Sequence, residues 1–160
     1  MQRLVIAYIV LLMALLVQGG MAAEEDHTFG AILTGDEEVP PIATDMSGSV
    51  RIRFNDDFTA ASFTLAVNDG VRVQQAHIHC AFAGVNGPIV VFLAGFHAPG
   101  WDVDGKWIDH AVFTQANIVN PACGTTLVGL VQAMKDGKTY ANVHTVAHPG
   151  GEIRGQIVSK

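Results

Sequence analysis

Basic residues, cysteines and long apolar runs are all scarce in this chain, and each shortage removes a class of function. Lys and Arg number 9 against 15 Asp and Glu, for a net charge of −6. A surface of that sign repels phosphate backbones and anionic bilayers, so nucleic acid is not an expected partner. The one long apolar run, Leu4 to Val17, is shorter than the roughly 20 residues a helix needs to cross a bilayer. Arg3 precedes it and Gly20-Met21-Ala22-Ala23 follows, so residues 1–23 read as a secretory signal peptide, with no stable membrane insertion after cleavage. Loss of Arg3 takes the net charge of residues 24–160 to −7. About 137 residues remain, the size of one domain with a real core. The expected location is secreted or periplasmic.

Only Cys80 and Cys123 are present, and an exported chain keeps such a pair oxidised. No Gly-x-Ser-x-Gly element and no paired carboxylates mark a hydrolase, which leaves an enzyme as the weakest reading. Internal repeats and low-complexity segments are also missing. The acidic clusters Glu24-Glu25-Asp26, Asp36-Glu37-Glu38 and Asp56-Asp57 read as solvated loops.

Short strands separated by turn chemistry dominate what is there. Thr28 to Thr34 predicts a first strand. Ser49 to Phe54 alternates Val50, Ile52 and Phe54 against Arg51 and Arg53, and Ala61 to Val67 alternates in the same way across an Asn55-Asp56-Asp57 turn, giving a meander with one wet face. Asn68-Asp69-Gly70 predicts a further turn. In Val71 to Cys80 the core-facing parity changes near Gln74-Gln75, which predicts a bulge. Ile89 to Leu93 reads as a strand buried on both faces, Ala94 to Lys106 as an irregular loop, and Trp107 to Thr114 as a strand. Leu127, Leu130, Val131 and Met134 recur at helical spacing, so Leu127 to Lys135 is a helix with Thr125 or Thr126 as N-cap and Gly137 as its stop.

Four of the seven histidines fall in two motifs, Ala76-His77-Ile78-His79-Cys80 and the run from Asn142 to Gln156. On a strand His77 and His79 share one face while Cys80 points to the other, so the sulfur is placed to pair with Cys123 rather than to join the imidazoles. Matching apolar faces sets Val143 opposite Ile153 and Ala141 opposite Gly155. His144 then lies across from Glu152, Asn142 from Arg154 and Tyr140 from Gln156. His77, His79, His144 and His148 are thus candidate ligands for copper, with zinc second, and His97 is a further participant to consider. Glu152, Asn142 and Arg154 are candidates to orient them. The competing reading makes the histidines architectural, a polar network that keeps strand register.

Leu33 to Pro41, Ala76 to Cys80 with Gly84-Val85-Asn86-Gly87-Pro88, and Asn142 to Gln156 together resemble the CHRD domain, named after the extracellular developmental protein chordin and found also in bacterial secreted proteins. The resemblance spans residues 28 to 158, within a domain set at 24–160. It departs at Ala81, where a glycine often follows the cysteine. It implies an all-β fold, a Greek-key antiparallel β-sandwich of the immunoglobulin-like or Cu,Zn superoxide dismutase-like kind, with one short helix. The His-x-His strand also resembles part of the dismutase copper site, but no zinc-loop aspartate arrangement aligns. The expected functions are a secreted metal-binding protein, a metal-free extracellular protein-interaction or structural module whose partner is an extracellular protein, or a copper-dependent redox enzyme.

Overall fold

The structure is a computed structural model, and it describes residues 27–160. The expected signal peptide, residues 1–23, lies outside the described residues. Alternating apolar side chains build each wall of the core. Phe29, Ala31 and Leu33 point inward from β1 (Thr28–Thr34), and Val50, Ile52 and Phe54 from β2 (Ser47–Phe54). The next strand, β3 (Ala60–Cys80), is the longest, and it contributes Ala61, Phe63, Leu65 and Val67 from one half and Val73, Ala76 and Ile78 from the other. Edge-to-face rings, Phe29 on Phe54 at 5.8 Å and Phe54 on Phe113 at 6.1 Å, fill the centre.

Strands β4 (Ile89–Ala94), β5 (Trp101–Thr114), β6 (Thr139–Thr145), β7 (Ile153–Gln156) and β8 (Val158–Ser159) complete the sheet, all antiparallel. Hydrogen bonding runs β2–β1–β7–β6–β3, and β3 returns to β2, so the sheet closes in a barrel-like ring. The first half of β3 is flanked by β2 and β5, and the second half by β6 and β4.

Three local expectations change. Asn68-Asp69-Gly70 does not end a strand: β3 continues through it, bent by positive φ at Asp69 (54°) and Arg72 (51°) and by shifts in the β5 register. The segment read as a loop from Ala94 to Lys106 becomes strand from Trp101 onward, because β3 offers a pairing edge that its glycines and proline do not obstruct. β4 is not buried on both faces, since Phe92 is 47% exposed. The bulge at Gln74-Gln75 is present as a register shift between Val73 and Gln75.

The helix, α1 (Leu127–Lys135), has the expected bounds. Thr126 accepts a hydrogen bond from the Gly129 N–H, and Lys138 N–H closes the last turn on Ala133. Gly137 sits at φ 69°, the left-handed conformation that stops a helix. Leu127, Leu130, Val131, Ala133 and Met134 are the buried face. A Cys80–Cys123 disulfide with a Cα separation of 5.6 Å ties the end of β3 to the turn before α1, as the facing of Cys80 required.

Candidate metal centre

The register of β3 with β6 decides which polar groups meet. His77 pairs with Asn142, His79 with Tyr140, and Gln75 with His144. Since Ala76, Ile78, Ala141 and Val143 turn into the apolar core, His77, His79, Asn142 and His144 emerge together on the opposite face. The β6–β7 register is the expected one, with Asn142 opposite Arg154 and Tyr140 opposite Gln156.

That face is not wet. His77 is 1% exposed, His79 8% and His144 6%, and every residue of β6 is buried. Three segments form the roof. From 81–88, Gly87 gives its carbonyl to His79 Nδ1 at 2.9 Å and its N–H to the Tyr140 hydroxyl at 3.2 Å. From 146–151, Pro149 gives its carbonyl to His144 Nδ1 at 2.9 Å. From 35–46, Val39 accepts from Asn86 at 2.7 Å. Close approach needs glycine twice: a Cβ on Gly87 would overlap the Cys80 carbonyl, and one on Gly151, at φ 127°, would overlap the Glu38 carboxylate.

Arg154 fixes the roof to the sheet. Its guanidinium lies 3.4 Å over the Tyr140 ring and donates to Asn86 at 2.9 Å and to the Val85 carbonyl at 2.8 Å. Itself buried to 1% exposure, it spends its hydrogen bonds on the 81–88 segment above it.

Hydrogen bonding sets the tautomers. A carbonyl only accepts, so Nδ1 of both His79 and His144 carries the proton and each Nε2 keeps its lone pair. His77 Nδ1 stands 3.0 Å from His144 Nε2 and donates to it, leaving a lone pair on His77 Nε2. Nε2 of His77 and of His79 are buried with no hydrogen-bond partner. Asn142 Oδ1 lies 3.0 Å from His144 Nε2, so two acceptors face each other there unless the amide turns or a cation intervenes.

The imidazoles stay neutral. Burial is the first cause for all three. It and the neighbouring His144 and His79 hold His77 down to about 3. His79 and His144 are lowered as well, with the Gly87 and Pro149 carbonyls partly opposing. Neutral imidazole is the metal-binding form. One ring nitrogen from each of His77, His79 and His144 lies within 4.8 Å of the others. A cation with bonds of about 2.0–2.1 Å needs ligand nitrogens roughly 3.3–3.6 Å apart, so a contraction of about 1 Å completes the triangle.

The remaining expected residues fall elsewhere. His148 is half-buried in the loop after β6 and is not in the histidine group; its backbone carbonyl and N–H instead hold the turn against Thr145 and Gly151. His97 stacks on Trp101 at 3.9 Å. Glu152 orients no histidine, because its two oxygens accept from the hydroxyls of Thr44 at 2.6 Å and Thr145 at 2.5 Å. Glu38, expected in a solvated loop, is buried over Asn142; burial raises its carboxyl above the usual range, with Arg154 opposing. Tyr140 stacks on His79 at 4.7 Å and Phe92 meets His77 edge-on at 4.8 Å. Strand parity gave the Tyr140 position, whereas no sequence signal marked Phe92 as a wall of this site.

The CHRD domain family model matches residues 29–157. Neither the curated proteins nor the solved structures gave a match. With the matched span covering both histidine motifs and nearly all of the chain, the protein belongs to the CHRD domain family.

Proposed function

We propose that this protein is an exported CHRD-domain protein, residues 24–160, that holds one copper ion through His77, His79 and His144, with zinc as the second candidate. The observation that carries the reading is the buried group of His77, His79 and His144, with one ring nitrogen of each within 4.8 Å of the others, in which Nε2 of His77 and of His79 have no hydrogen-bond partner. A buried acceptor left without a donor costs about 1–3 kcal/mol, and a cation bound at such an atom removes that cost. The backbone carbonyls of Gly87 and Pro149 act as the orienting acceptors that metal-bound imidazoles require. His148 is retained as a further ligand only if the 146–151 loop rearranges. Imidazole-rich sites suit copper and zinc above harder cations. Export is supported by the disulfide and by the leader-like residues 1–23. The Greek-key sandwich is the finer reading of the fold, supported by the thin β1–β7 link, a single paired position at Thr34 and Arg154.

The test is calorimetric titration of apo protein with Cu(II) and with Zn(II). One equivalent of Cu(II) per chain is expected, with loss of binding in His77→Ala plus His79→Ala. No stoichiometric uptake, or uptake unaltered in that variant, removes the proposal.

A second reading, a metal-free extracellular interaction or structural module, is favoured by the His77–His144 hydrogen bond and the His79–Tyr140 stack, which give the rings packing roles. It expects His144→Ala to lower thermal stability equally with and without chelator. A dismutase-like redox activity requires bound copper with an open coordination position, and a superoxide assay on copper-loaded protein separates carrier from catalyst.

A further inference from the structure

The wet outer face of β2 and β3 carries a second polar cluster, independent of the histidines. Arg51 and Arg53 stand two positions apart on β2, about 7 Å along the strand. Their cross-strand partners are Thr64 and Ser62. With His110 of β5, these side chains line a surface concavity of about 340 Å³. Neither arginine has an ion pair or hydrogen bond to its side chain among the described residues, although the chain holds 15 carboxylate side chains.

One of the neighbouring acids is already engaged, and the other is fully exposed. Asp109, on the rim, accepts from Lys106 at 2.9 Å and from Thr64 at 3.3 Å and lies 3.5 Å from His110. Asp56, beside Arg53, lies 3.8 Å from His27. The Ser62 and Thr64 hydroxyls are also committed, to the Arg53 carbonyl and to Asp109, so the donors left in the hollow of this otherwise acidic protein are the two guanidiniums. Guanidinium forks match the edges of a tetrahedral oxyanion and bind it by paired charge-assisted hydrogen bonds.

We propose that this hollow is a binding site for a phosphate or sulfate group, clamped between Arg51 and Arg53. The net negative charge of the chain keeps long-range attraction weak, so recognition rests on the local clamp.

The experiment titrates the full chain at 150 mM salt with inorganic phosphate, inorganic sulfate and long-chain polyphosphate, each followed by calorimetry. Saturable binding of at least one probe is expected, weakened at least tenfold in Arg51→Gln plus Arg53→Gln. Lys135→Gln plus Lys138→Gln, which removes the same charge from another surface, should bind as the wild type does. Binding of the free ions assigns the site to a small anion; binding of polyphosphate alone assigns it to a phosphate group within a larger polyanion. Failure of all three probes to saturate, or equal weakening in both double variants, overturns the proposal. Unchanged thermal denaturation of the arginine variant shows that any loss is local.

Discussion

Along its first half β3 sets Ser62 and Thr64 beside Arg51 and Arg53 in open solvent; along its second half it sets His77 and His79 beside Asn142 and His144 under a roof of loops. Both faces come from the same alternation of apolar and polar residues. They differ because 35–46, 81–88 and 146–151 fold over the second and, among the described residues, no segment covers the first. Polar groups in water need no partners, whereas roofed ones must find them, and there the histidines, Asn142 and Arg154 lock into defined tautomers and contacts. The comparison teaches that alternation fixes which residues share a face, while the cover decides what chemistry that face can do.

Removing the cover's anchor is the strongest way to break the contrast. The disulfide spans 43 residues of sequence and starts at Cys80, next to His79. Cys80→Ala plus Cys123→Ala should lower stability in urea unfolding by about 4 kcal/mol. Amide exchange should accelerate first at Asn86 and Gly87, ahead of the β2–β3 ladder.

Arginine substitutions compare the two faces with one residue type. Arg154→Ala removes the hydrogen bonds to Asn86 and the Val85 carbonyl and the Tyr140 stack, and empties a fully buried side-chain site, for a loss of roughly 3 kcal/mol. Arg53→Ala, on the wet face, should stay within about 0.5 kcal/mol by the same urea measurement.

Metal sharpens the comparison from the other side. Copper at one hundred times its dissociation constant should stabilise the wild type by about 2.7 kcal/mol, read as a rise in Tm, and should leave His77→Ala plus His79→Ala unchanged. No such rise should follow from replacing Arg51 or Arg53.

On the roofed face acid acts through the histidines. An unfolded histidine titrates near 6.5, while folded His77 resists protonation down to about 3. Below pH 6.5 the unfolded chain therefore takes up a proton that the folded chain refuses. Stability from this group is complete above pH 6.5 and falls by about 1.4 kcal/mol per pH unit as pH drops toward 3. His79 and His144 add in the same direction. Urea midpoints measured from pH 7 to pH 4 should show this decline, and His77→Gln should make it shallower.

Much of this was legible in the residues. The helix Leu127–Lys135, the hairpin register from Tyr140 to Gln156, the bulge near Gln74 and the Cys80–Cys123 pairing all follow from local periodicity and capping. The histidine face was legible for the same reason, since His77 and His79 differ by two positions. Glu38 was misjudged because an acidic loop looks solvated until another segment packs on it. Glu152 was misjudged because the Thr44 hydroxyl, 108 residues away, competes for its carboxylate. Trp101 to Lys106 looked like a loop because Gly105 and the preceding Pro99-Gly100 outweigh, locally, a pairing edge that β3 supplies.

By itself the sequence determined the antiparallel β class with its single helix, the strand faces, the disulfide, and the fact that His77 and His79 point the same way. Those are short-range consequences of side-chain period, turn residues and thiol count. Only the tertiary structure decided that the sheet closes through β1 and β7, that the histidine face is buried while the arginine face is wet, and that Gly87 and Pro149 carbonyls hold the Nδ1 protons. Each of these depends on segments far apart in the chain meeting through desolvation and hydrogen bonding, and no local pattern encodes which loop covers which strand.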